Sequence, residues 1–169
     1  MVDFEKIRLI ILDVDGTLTD GGLYYDTQGN EIKRFDVKDG LGIQVASRAG
    51  LEFAIITGRT SPMVERRARE LGIRYLIQGA RKKVPALEAL MLQTGYSGDQ
   101  IAYMGDDLND LPVMKMVGLC ACPADAAPEV RAVCHFLADH AGGHGAVRDF
   151  LEEILRRRGI WIQTAEEIY

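Results

Sequence analysis

Cysteine is scarce in this chain of 169 residues, limited to Cys120, Cys122 and Cys134. So few, and an odd number, exclude a disulfide framework and point to free thiols, so a cytoplasmic location is expected. Cys120 and Cys122 fall in an apolar run and read as strand core, while Cys134 and its neighbour His135 match no common zinc spacing. Long apolar runs are missing too. None approaches the ~18 residues of a membrane span. The acids Asp3 and Glu5 before the first apolar run read against a secretory leader, so no membrane partner is expected. Basic excess is also absent, with 20 Lys+Arg against 25 Asp+Glu and a formal net charge of −5. A general nucleic-acid binder would be basic, so nucleic acid is not an expected partner. A small anion remains open, because a local cluster can be positive on an acidic protein. No repeat, linker or low-complexity segment appears. With 47% hydrophobic residues the chain can bury one core, and residues 1–169 are read as a single domain.

What is present is organised around Ile7 to Asp20. An apolar run from Ile7 to Leu12 leads into Asp13-Val-Asp15-Gly16-Thr17. Such a run reads as a parallel strand buried on both faces. If the strand persists to its end, alternation turns Asp13 and Asp15 to the same side. Two carboxylates so close repel each other unless a cation joins them. Mg²⁺ uses one or two protein carboxylates and keeps room for phosphate oxygens. An EF-hand loop starting at Asp13 fails, because its sixth position is Leu18 and its twelfth Tyr24.

Further short apolar runs follow at Leu51–Ile56, Ile73–Ile77, Ile101–Met104, Gly118–Cys122 and Phe136–Leu137. Helical stretches alternate with them, one opened by Ser61 as N-cap with Pro62 behind it. The alternation predicts an α/β fold, a doubly wound (Rossmann-like), mostly parallel sheet with helices on both faces. A β-hairpin over about 21–36 is expected as an insertion after the first strand. The last segment, about 159–169, carries Trp161, Ile162 and Ile168 and is expected to dock rather than hang free.

Polar residues recur at the strand ends: Asp13 and Asp15, Thr57, then Lys83, then Asp106, Asp107 and Asp110. In this order, Asp13-Val-Asp-Gly-Thr17, Ile56-Thr-Gly-Arg59, the downstream lysine and Gly105-Asp-Asp-Leu-Asn-Asp110 resemble the haloacid dehalogenase superfamily of phosphatases. The resemblance implies Asp13 as nucleophile and Asp15 as acid, then base. It also implies Mg²⁺ held by Asp13, the Asp15 carbonyl and Asp106, with Thr57 and Lys83 on the phosphoryl group and Asp107 and Asp110 behind the lysine and the metal waters. Lys83 is preferred to Lys82 because the family's lysine stands four residues after a Gln-Gly pair, here Gln78-Gly79.

Most superfamily members carry an inserted cap domain, for which 44 positions from Asp13 to Thr57 and 23 from Lys83 to Asp106 leave no room. The chain is most similar to capless members that dephosphorylate an eight-carbon sugar-acid 8-phosphate on the way to lipopolysaccharide. Phe35-Asp-Val-Lys-Asp-Gly40 and Gly142-Gly-His-Gly-Ala-Val-Arg148 support that likeness. It implies a homotetramer, and a sugar pocket with Asp15, Lys38, Asp39, Gly40 and Gly58, in which Arg59 and Arg67 meet the sugar-acid carboxylate. Two alternatives remain open. One is a phosphatase for a nine-carbon sialic-acid-type 9-phosphate, against which Arg59 speaks. The other is a non-catalytic assembly domain of a sugar cytidylyltransferase, against which the full set of acids speaks.

Overall fold

The computed structural model describes residues 2–168; Met1 and Tyr169, the ends of the expected domain and tail, lie outside the described residues. Six strands form one parallel sheet: β1 (Leu9–Leu12), β4 (Glu52–Ile56), β5 (Tyr75–Ile77), β6 (Ile101–Met104), β7 (Leu119–Cys122) and β8 (Phe136–Leu137). Their spatial order is β5-β4-β1-β6-β7-β8. The central strand β1 is therefore the switch point. The chain first builds outward through β4 and β5, then returns to pair β6 on the other side of β1. Open α/β sheets bind ligands just beyond the carboxyl ends of the strands at such a point.

Every residue of β1, β6 and β7 is buried, which explains why these strands read as continuous apolar runs rather than alternating ones. Alternation shows instead in which face each side chain joins. Ile10 and Leu12 pack with α1 (Val37–Arg48), α2 (Pro62–Glu70) and α6 (Ala146–Arg157). Leu9 and Ile11 pack with α3 (Lys83–Thr94), α4 (Leu111–Met114) and α5 (Pro128–Arg131). The doubly wound expectation holds, and the sheet is parallel throughout.

Two segments differ in detail from their expected form. The hairpin pairs over only two residues per strand, β2 (Tyr24–Tyr25) with β3 (Glu31–Ile32), and a bridge between Thr19 and Phe35 closes its base. Its turn is tied by Asp26, which accepts from the backbone N–H groups of Gln28 and Asn30. The expected tail is a helix, α7 (Trp161–Ile168), lying against α1 and α6 of the same chain. Trp161 is 5% exposed, and the Arg148 guanidinium stacks on its indole at 4.6 Å.

Candidate active site

The strand β1 does not persist to Asp15. Asp13 still pairs through its N–H to the Met104 carbonyl, then residues 14–18 make a tight turn. The direction of Asp15 is thus set by the turn and not by strand alternation. The turn needs glycine at position 16 twice over. Gly16 has φ +90°, and a Cβ there would lie 2.1 Å from Asp106 Oδ2. The carboxylate from the end of β6 therefore lies over the turn that follows β1. Thr17 fixes it there, its hydroxyl donating to Asp106 Oδ1 at 3.0 Å.

Asp13, Asp15, Thr57, Gly58, Arg59, Asp106, Asp107 and Asn109 line one open cleft of about 220 Å³. Lys83 lies behind Asp13, outside the lining. It is the first residue of α3, and its side chain is fully buried, whereas Lys82 is exposed. Its ammonium lies 2.9 Å from Asp13 Oδ2 and 2.6 Å from Asp110 Oδ1, and it donates to the Tyr103 hydroxyl at 3.2 Å. Burial works against that charge, but Asp13 and Asp110 outweigh it and hold the lysine pKa above its ordinary value.

Carboxylate oxygens of Asp13, Asp106 and Asp110 lie within 4.8 Å of one another. Only two of these residues have capacity to spare. Asp110 accepts from Lys83 and Tyr103 on Oδ1, and from the N–H groups of Asp106 and Asp107 on Oδ2. That saturates it as a scaffold residue. Asp13 is raised to about 6, by burial first and then by the negative charge of Asp110, against the pull of Lys83. Asp106 is raised to about 7, by burial and then by the charges of Asp13 and Asp110. Three carboxylates thus share one ammonium. Two of them resist ionisation for want of positive charge, a donor set that fits a hard divalent cation between Asp13 and Asp106.

The sugar-pocket expectations divide. Gly58 and Arg59 line the cleft with the acids. Arg59 donates to Glu31 at 2.7 Å and reaches the Tyr25 hydroxyl at 3.4 Å. Lys38, Gly40 and Arg67 line a second groove of about 270 Å³ between α1 and α2, which shares no residue with the acidic cleft. Arg67 there stacks over Phe35 and donates to the Asp36 carbonyl. Asp39 is no pocket residue: it is 1% exposed, and its Oδ1 accepts from the Arg148 N–H in the first turn of α6. A buried carboxylate at a helix start is a cap, which is why this acid sits there. Asp107 is exposed at the cleft rim, where its Oδ1 accepts from the Leu108 N–H; Asp110 alone of the two touches the lysine.

Sequence reasoning gave no role to Thr17, Tyr103 or Lys33. Lys33, just past β3, has a side chain 2% exposed and donates to Asp15 Oδ1. The buried tyrosine sits mid-strand in an apolar run, where nothing marks its hydroxyl. The hairpin alternation Glu31-Ile32-Lys33 was the one signal for the lysine, since it turns two charges to the same face.

A family model described as haloacid dehalogenase-like hydrolase matches residues 76–151. The chain is 44% identical over 159 residues to a 3-deoxy-D-manno-octulosonate 8-phosphate phosphatase of Escherichia coli, covering 94% of this chain and 85% of that protein. Its fold superposes with a TM-score of 0.94 on the enzyme of that name from Moraxella catarrhalis, crystallised with magnesium, phosphate and the sugar acid. There the identity is 40%, over 98% of this chain and 95% of the other. A probable phosphatase of the YrbI family from Pseudomonas syringae gives a TM-score of 0.93 at 44% identity, covering 98% and 94%.

Proposed function

The chain belongs to the haloacid dehalogenase-like hydrolases, within the family of the 3-deoxy-D-manno-octulosonate 8-phosphate phosphatases, and from that premise we propose that it hydrolyses this sugar phosphate to the free sugar acid and phosphate. The reaction is a step in lipopolysaccharide precursor synthesis. The observation that carries the reading is the meeting of Asp13 and Asp106 across Gly16, with Lys83 beneath Asp13 and Thr57 in the same cleft.

An Asp13 carboxylate oxygen attacks phosphorus in line, and the bond from phosphorus to the sugar oxygen breaks, leaving an aspartyl-phosphate. Asp15 gives its proton to the departing alkoxide. It then takes a proton from the water that attacks phosphorus, which frees phosphate and restores Asp13. Thr57 and the Lys83 ammonium meet phosphoryl oxygens, and Lys83 also fixes the nucleophile. Asp13, Asp106 and the Asp15 carbonyl would hold Mg²⁺, which would supply charge neutralisation at the phosphoryl group. Arg59, presented by the loop after β4, takes the sugar-acid carboxylate, for which a guanidinium fork is suited.

The whole chain is proposed to act as one phosphatase domain in the cytoplasm. A homotetramer is proposed from the hairpin, whose Leu23, Tyr25 and Ile32 are each more than half exposed. The test is kcat/KM on the eight-carbon 8-phosphate and on a nine-carbon 9-phosphate, with Mg²⁺ and with chelator. The expected result is Mg²⁺-dependent turnover that favours the eight-carbon ester and is abolished in a folded Asp13→Asn variant. Turnover undiminished in that variant, or a preference for the nine-carbon ester, would overturn the reading.

A further inference from the structure

The hairpin reaches the cleft through a line of alternating charges. Glu31 and Lys33 are two positions apart and turn to the same side, while Ile32 between them is 54% exposed. Glu31 receives Arg59 at 2.7 Å and Lys33 at 3.4 Å. Lys33 in turn donates to Asp15 Oδ1, and among the described residues no other side chain hydrogen-bonds that carboxylate. The Lys33 side chain is 2% exposed, against 24% for Asp15 and 42% for Arg59. An ammonium is buried this deeply only where its partners are fixed.

We propose that Lys33 is a positioning residue for Asp15, itself held in place by Glu31; the inference rests on Asp15 being the acid and base of the reaction proposed above. Asp15 stands on a turn that does not by itself fix the carboxylate plane. With Oδ1 tied to Lys33, Oδ2 is the oxygen left to give a proton to the alkoxide and take one from water. The hairpin thus completes the proton-handling group from outside the sheet.

The closing experiment compares an alkyl ester, the sugar 8-phosphate, with an aryl ester, p-nitrophenyl phosphate, at saturating Mg²⁺. Loss of an alkoxide needs a proton from Asp15, whereas a nitrophenolate leaves with little help. Because kcat/KM ends at the first irreversible step, it isolates the acid role. D15N sets the scale, with a loss of about 10²–10⁴ on the alkyl ester and much less on the aryl one. K33M is expected to lose at least about tenfold more on the alkyl than on the aryl ester, through kcat, and K33R to recover most of that loss. E31Q retains the lysine but removes the charge that holds it, and is expected to move the same ratio in the same direction, so the comparison survives a K33M that fails to fold. Equal losses on both esters in D15N would sink the assignment of Asp15, and with it the reaction proposed above. A discriminating D15N beside variants of Lys33 and Glu31 that leave the ratio unchanged, or that raise only KM, would overturn the positioning role alone.

Discussion

Magnesium affinity is expected to rise steeply between about pH 5 and about pH 8, because the ion must displace protons from the two acids proposed to hold it. Asp13 titrates at about 6 and Asp106 at about 7 in the metal-free fold, both raised chiefly by burial. At pH ~5 roughly a tenth of molecules have Asp13 ionised and roughly a hundredth have Asp106 ionised, while near pH 8 most have both. Treated as independent, these fractions give a gain of about a thousandfold, or about 4 kcal/mol, in apparent affinity. The sign for stability follows from the same shifts. Both folded-state values lie above those of the unfolded chain. Their contribution to stability is therefore complete below the ordinary carboxylate range, and is lost as pH rises through about 6 and about 7. Mg²⁺ offsets that loss, so its stabilising effect should be larger at pH 8 than at pH 5. The assay is calorimetric titration with MgCl₂ at several pH values, in pairs of buffers that differ in ionisation enthalpy, so that released protons are counted. One to two protons should leave per ion at about pH 5.5 and almost none near pH 8. Equal affinity across that range, with no proton release at the acid end, would refute the account of these two carboxylates.

Three further substitutions test parts of the scaffold. Tyr103→Phe removes the hydroxyl that donates to Asp110 at 2.5 Å and accepts from Lys83, and should cost about 1–3 kcal/mol in denaturant unfolding with a fall in kcat. Gly16→Ala places a methyl group where the Asp106 carboxylate lies, at a φ of +90°. It should destabilise by at least about 1 kcal/mol and weaken Mg²⁺ binding in the same titration. Asp39→Asn keeps an acceptor for the Arg148 N–H but removes a carboxyl that burial raises to about 6. Asp39 loses its contribution as pH climbs through that value. The variant should therefore gain on the wild type by up to about 3 kcal/mol between pH ~4 and ~8, and a pH-independent difference would contradict the burial argument.

The sheet was legible because its strands are buried on both faces and short, so each appears as an apolar run that stops at a polar residue. The acids and Thr57 were legible for the same reason, since they stand just past the ends of those runs, whereas Lys83 opens α3, six positions after β5. Lys83 needed help from the family likeness, because only the phase of α3 separates it from Lys82. What stayed hidden depends on contacts across distant parts of the chain. Lys33 finds Asp15 across 18 positions, and Asp39 caps a helix 109 positions later. The family likeness implied Asp39 as a pocket residue, whereas its Oδ1 accepts from a backbone N–H of α6. Arg67, which the family likeness implied for the sugar-acid carboxylate, engages Phe35, Glu70 and the Asp36 carbonyl within this chain.

The enclosure of the two cleft lysines has a practical side. Acylating reagents, biotin esters and amine-coupled sensor surfaces react with ammonium groups that solvent can reach. Lys6, Lys38, Lys82 and Lys115 are exposed, while the side chains of Lys33 and Lys83 are almost wholly covered. Amine chemistry will therefore tether or label the molecule from its outer faces and spare the amines beside Asp13 and Asp15, so immobilised protein should keep its turnover.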